Sequence, residues 1–222
     1  MFLSKNNKFF FIHIPKSGGT SIVNSLTKIE AIEEHYAGAH STIKDIEKLN
    51  PPEVDYFISQ VRNPYERYKS GFTYAIEWAQ KRLNGELPLK NFSKKFWKDK
   101  IEYLNDIKFE GWINLLVNKD KRNDYQNKFY NEQIFRPQMM WYSYHKEQYA
   151  KYKHKMKFFK LETGEIWKFI QSLGFNVQPI HVKKSSLVKI KGYKEEQAEI
   201  VYNYFKQDFE IFNYNKEDYE RA

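Results

Sequence analysis

The 222-residue chain has no cysteine, which excludes a disulfide framework, a thiolate-bound metal and a thiol nucleophile together. That absence fits a reducing compartment. No apolar run approaches the ~20 residues that a bilayer-spanning helix needs. The opening segment MFLSKNNKFFFIHIPK lacks a basic start and a small-residue cleavage site, so it does not read as a signal peptide, and a cytoplasmic location is expected. Acidic residues are the minority, 28 against 37 Lys plus Arg, for a formal charge of +9. An anionic partner is therefore favoured, although most single lysines are explained by a solvated surface. Only 9 glycines and 7 prolines are present, and they complete neither G-x-G-x-x-G nor G-x-x-x-x-G-K-[ST], so the usual dinucleotide and nucleoside-triphosphate loops are missing.

Aromatic residues are abundant, at 18% with 17 Tyr and 18 Phe. Apolar runs recur throughout despite a mean hydropathy of -0.80, so a soluble globular domain is expected rather than disorder. The chain is organised around FFFIHIPKSGGTSIVNS, residues 9–25. Phe9 to Ile14 form an apolar run of strand length, which Pro15 stops because proline cannot donate to a ladder. Gly18 and Gly19 permit a tight turn. Thr20 and Ser21 then open a helix carrying Ile22, Val23, Leu26 and Ile29, so unpaired amides and the positive dipole end converge on an anion site suited to phosphate or sulfate.

Further along, residues 42–49 have helical spacing, with Ser41 and Thr42 as caps and His40 just ahead of them. Residues 54–61 (VDYFISQV) read as a second strand running into Arg62. A long helix follows from Pro64, with Tyr68, Phe72, Ala75, Ile76 and Ala79 inward. Residues 91–118 are expected to be helical and 120–131 a loop. A third strand is expected at about 156–161, a helix at 163–173 ended by Gly174, and one closing helix at 194–212. Lys151, Lys153, Lys155 and Lys157 alternate and would share one face of an extended segment, as a polyanion contact or an ordinary solvated edge. Strands alternating with helices imply a mainly parallel sheet covered on both faces, with ligands at the carboxyl ends of the strands, where Lys16 and Arg62 fall.

Which anion chemistry the chain supports is narrowed by two further features. Its loop lysine precedes the glycines, as PKSGGTS (15–21), and its second strand ends in Arg62 rather than a magnesium-holding aspartate. PKSGGTS resembles the 5′-phosphosulfate loop of the sulfotransferases, and RNPYERYKSGF (62–72) resembles their 3′-phosphate motif. The similarity continues in Pro137-Gln138, FFKLETG, HVKKSS and the DFEIFNY ending, and is nearest to the carbohydrate sulfotransferases of the heparan 2-O and chondroitin type. Pattern and resemblance together give an expected α/β fold, P-loop-like and three-layered, with a mainly parallel central sheet flanked by helices in a single domain over residues 1–222.

The resemblance implies 3′-phosphoadenosine 5′-phosphosulfate, PAPS, as donor, without a metal. It implies that Lys16, Ser17, Gly18, Gly19, Thr20 and Ser21 hold the phosphosulfate, that Arg62 and Ser70 grip the 3′-phosphate, and that Lys184 and Ser185 belong to a loop closing over the nucleotide. Lys183 stands where relatives more often carry asparagine. Sulfuryl transfer to a hydroxyl needs a cation on the leaving oxygen, the role of Lys16, and a base with a pKa near operating pH, which favours histidine. His40 is the first choice by placement. His35 is the reserve and Glu34 an acidic alternative, while His13 reads as structural and His145, His154 and His181 lack a base-like context.

The expected acceptor is a carbohydrate hydroxyl, with Trp97, Trp112, Trp141 and Tyr142 either stacking on sugar rings or, at helical spacing, simply filling the core. A phenol, lipid or peptide hydroxyl is the alternative acceptor. Two other readings compete: a non-catalytic basic module for polyanions, and a divergent nucleotide kinase that would need a magnesium carboxylate. No nucleic-acid partner and no membrane span are expected. The sequence leaves the oligomeric state open.

Overall fold

A computed structural model describes residues 1–33, 36–129, 133–142, 146–180 and 190–222. The strands are β1 (Phe2–Leu3), β2 (Phe9–Phe11), β3 (Tyr56–Val61) and β4 (Met156–Lys160). The first helices are α1 (Gly19–Lys28), α2 (Ile43–Glu47), α3 (Pro64–Leu83), α4 (Lys94–Val117) and α5 (Lys119–Phe129). The later ones are α6 (Lys146–Tyr152), α7 (Glu165–Ser172), α8 (Glu195–Tyr204) and α9 (Lys206–Ile211), with short 3-10 turns at Gln133–Phe135, Gln138–Trp141 and Lys216–Arg221. Two compact units result, one of residues 1–63 and 136–183, the other of residues 64–135 and 184–222.

The first unit holds an open, mostly parallel sheet in the order β1-β2-β3-β4. β2 pairs parallel with β3 through Phe10 and Phe57, and β3 pairs parallel with β4 through Ser59 and Phe158. β1 adds an antiparallel edge that the sequence pattern does not announce, because two residues are too few to show a period. Successive side chains point to opposite faces. Phe9, Phe11 and Ile58 pack with Ile22 and Leu26 of α1 and with Ile166 and Ile170 of α7. Phe10 and Phe57 stack on the other face, where Tyr36 and Tyr152 meet them edge-on. The sheet is thus flanked by helices and aromatic loops.

β2 is shorter than the expected strand. Ile12 N–H still bonds the Ile58 carbonyl at 2.8 Å, and the chain then leaves the ladder for Pro15. The anticipated lysine stripe does not form. Lys151 lies in α6 and pairs with Glu47 at 2.8 Å, Lys155 precedes β4 and pairs with Glu53 at 3.1 Å, and only Lys157 lies within the strand. Alternation in sequence places side chains on one face only where the backbone stays extended, and here it turns between α6 and β4.

The second unit is helical. Tyr68, Phe72, Ala75 and Ile76 of α3 join Leu104, Trp112 and Leu116 of α4 and Val201 of α8 in one core. α3 keeps the expected boundaries because Pro64 sits in its first turn, where a missing N–H costs nothing. Residues 120–131 were expected to form a loop, yet 119–129 are α5. Its apolar signal rests on two residues one turn apart, Tyr125 and Phe129, both buried, too few to stand out in a polar stretch. The closing helix is two helices, broken at Phe205 (φ -104°, ψ 20°), with Val201, Phe205 and Phe209 buried across the break.

Candidate functional site

The site is built at the carboxyl ends of β2, β3 and β4. After β2 the chain passes through Lys16 (φ 65°) and Gly18 (φ 78°), both left-handed, and this double reversal starts α1 at Gly19. Ser17, between them, is fully buried. Glycine is favoured at 18 by its left-handed φ and at 19 by the lack of space. A Cβ on Gly18 would lie 2.7 Å from Gln60 Oε1 and from Leu161 Cδ1, and one on Gly19 would lie 2.2 Å from His13 Cδ2. The first turn of α1 has no acidic residue, so its amides and dipole present uncancelled positive potential. Thr20 is exposed and Ser21 partly so.

Arg62 ends β3. Its guanidinium Nη1 donates to the Lys16 carbonyl at 3.4 Å, which brings the loop and the strand end together. Its backbone is held by Gln138. Arg62 N–H donates to Gln138 Oε1 at 2.9 Å, and Gln138 Nε2 donates to the Arg62 carbonyl at 2.8 Å. The same Oε1 accepts the Ser17 hydroxyl at 3.0 Å. At the end of β4, Glu162 Oε1 accepts Asn63 N–H at 2.9 Å. The sequence pattern assigns no role to Gln138 or Glu162, because a side chain bonded to a backbone distant in sequence leaves no local signal.

His40 lies on the same unit, two residues before Thr42, whose hydroxyl and Asp45 form a reciprocal cap on α2. His40 Nδ1 is 2.7 Å from the His13 carbonyl oxygen. A carbonyl only accepts, so Nδ1 carries the hydrogen in that bond. Trp141 Nε1 donates to the His40 carbonyl at 3.3 Å and fixes the loop from the other side. The His13 ring stands 4.5 Å from that of His40. Burial first, then the nearby titrating groups of His40, the chain amino group and Lys16, lower the pKa of His13 to about 3. His13 is therefore neutral, and its ring packs against both Gly19 and the His40 ring.

The remaining candidates fall elsewhere. Ser70 is on α3 in the second unit, partly buried, and its carbonyl accepts the Thr73 hydroxyl at 3.2 Å. Lys184 and Ser185 lie outside the described residues, as do Glu34, His35, His145 and His181. His154 is exposed in the turn after α6. Trp112, Trp141 and Tyr142 are fully buried, and Trp97 is buried beneath the Arg82 guanidinium at 4.8 Å. None of the four presents a face to a sugar ring. Among the described residues no cluster of three or more His, Asp or Glu could hold a metal, and no helix is long and apolar enough to cross a membrane.

A glycine turn and helix start beside Lys16 and Arg62, with His40 on the same unit, make up the candidate site. The chain belongs to the sulfotransferase family, whose family model matches residues 1–215. It is a sulfotransferase, an enzyme of the EC 2.8.2 type that transfers a sulfuryl group, and the family generally uses PAPS as donor. Neither the curated proteins nor the solved structures contain a match.

Proposed function

We propose that this enzyme transfers the sulfuryl group of PAPS to a carbohydrate hydroxyl, with His40 as base and Lys16 as the cation on the leaving side. The observation that carries the reading is the 2.7 Å contact of His40 Nδ1 with the His13 carbonyl oxygen. With Nδ1–H directed at the His13 carbonyl, Nε2 is the ring nitrogen that takes the acceptor proton as the acceptor oxygen bonds to sulfur. The S–O bond to the bridging oxygen breaks in line, and the charge arriving on the 5′-phosphate is met by Lys16 and the α1 amides.

In this reading residues 16–21 cradle the phosphosulfate, Arg62 and Ser70 hold the 3′-phosphate, and Lys184 and Ser185 close over the nucleotide. The whole of residues 1–222 acts as one P-loop-like, three-layer catalytic domain, located in the cytoplasm and independent of a metal. A carbohydrate acceptor is supported by the motif resemblance and by the charge of +9, which suits an acidic glycan. The test is turnover with radiolabelled PAPS against a panel of glycans, phenols and lipids, alongside thermal shift with 3′-phosphoadenosine 5′-phosphate, PAP. Label transfer to a glycan and a PAP-dependent rise in Tm are expected. Labelling of phenols or lipids alone overturns the acceptor, and no shift with PAP overturns the donor.

A further inference from the structure

We propose that Gln138 is a positioning residue that sets Arg62 and the 16–21 loop in register, an inference that rests on PAPS being the donor. Gln138 is fully buried at the start of a 3-10 turn whose preceding residue, Pro137, has φ -52° and ψ 145°. Proline holds φ near that value by its ring, so the glutamine enters from a stiff base. Its carboxamide accepts from Ser17 Oγ at 3.0 Å and from Arg62 N–H at 2.9 Å, and donates to the Arg62 carbonyl at 2.8 Å.

Only a primary amide has both an acceptor oxygen and donor hydrogens on one rigid plane. Glutamate would keep the acceptor and lose the donor, and methionine would lose both at similar volume. The paired bonds to Arg62 fix the orientation of its peptide units, as a neighbouring strand would, at the point where β3 ends. The Arg62 side chain projects from that peptide toward Lys16, so a rotation there displaces the guanidinium at the end of a long lever. Misplacement by ~1 Å is enough to cost about 100-fold in a positioned site. The third bond ties the same amide to the buried hydroxyl of the phosphosulfate loop.

A positioning role predicts a selective loss rather than a uniform one. Affinities for PAP and for 5′-AMP, which lacks the 3′-phosphate, are measured by calorimetry for wild type, Gln138→Met, Gln138→Glu and Ser17→Ala. Gln138→Met should lower the PAP/5′-AMP affinity ratio about tenfold, the order expected when a charge-assisted hydrogen bond is lost. Ser17→Ala should weaken both nucleotides alike. Gln138→Glu should fall between wild type and Gln138→Met. A ratio unchanged in Gln138→Met overturns the inference. If that variant does not fold, a wild-type ratio in Gln138→Glu overturns it equally, and a lowered one supports it. A wild-type enzyme that does not prefer PAP to 5′-AMP refutes the donor assignment instead.

Discussion

His40 Nδ1 lies 2.7 Å from the carbonyl oxygen of His13, so the residue proposed as base is oriented by the backbone leading into the anion loop. Replacing His40 by alanine should lower kcat by ~100- to 10,000-fold, the usual worth of a general base. PAP binding should persist, since His40 is not assigned to the nucleotide. Full turnover by His40→Ala in steady-state assays would remove it from the mechanism.

Lys16 and Arg62 are joined through the Lys16 carbonyl yet have different assignments. Lys16→Met should lower kcat ~100- to 1,000-fold, as removal of one group stabilising developing charge does, with a smaller loss of PAP affinity. Arg62→Ala should show the larger loss in PAP affinity. The two-variant comparison of kcat with PAP titration checks this, and the reverse ranking contradicts it.

The His13 ring occupies the space beside Gly19. Gly19→Ala should therefore destabilise the fold by about 1–3 kcal/mol, the range for overpacking a filled site. The cost should shrink in a His13→Ala background, because the deleted ring vacates the position of the new methyl. Urea midpoints for the four members of the double-mutant cycle measure the coupling, and additive costs would argue against the contact.

With its pKa held near 3 in the fold against ~6.5 when unfolded, His13 is protonated in the unfolded chain first as pH falls. The unfolded state then binds the extra proton between those values, so stability declines on acidification from about pH 6.5 to 3 and is fully present above that window. The slope from this group approaches ~1.4 kcal/mol per pH unit. His13→Gln lacks that component, so its stability should fall less steeply between pH 7 and 4 in paired urea titrations. Parallel curves would mean that His13 titrates normally.

Lys108 sits within α4 at φ 54° and ψ -174°, a region that side chains avoid and glycine accepts. Lys108→Gly should stabilise the protein by about 1 kcal/mol. In an ordinary helix interior the same change costs about that much, so the sign of the Tm shift distinguishes the two.

Periodicity revealed the elements with strong apolar signals. α3 begins and ends where its proline and inward stripe place it, and β3 and β4 differ from expectation only at their ends. α5 was hidden because two aromatics one turn apart carry its burial. The lysine alternation before β4 misled because spacing alone does not show whether the backbone remains extended.

The sequence by itself determined the family and the glycine turn before a helix, and it nominated Lys16, Arg62 and His40, since these depend on residue types at short spacing. Tertiary structure alone decided which groups hold them. Gln138 bonds Arg62 across 76 positions and Ser17 across 121, and His13 orients His40 across 27. Such bonds depend on where folding brings the backbone, and no local pattern encodes them. Folding also withdrew Trp112, Trp141 and Tyr142 from any acceptor, because a large aromatic ring is more favourably buried than left in water.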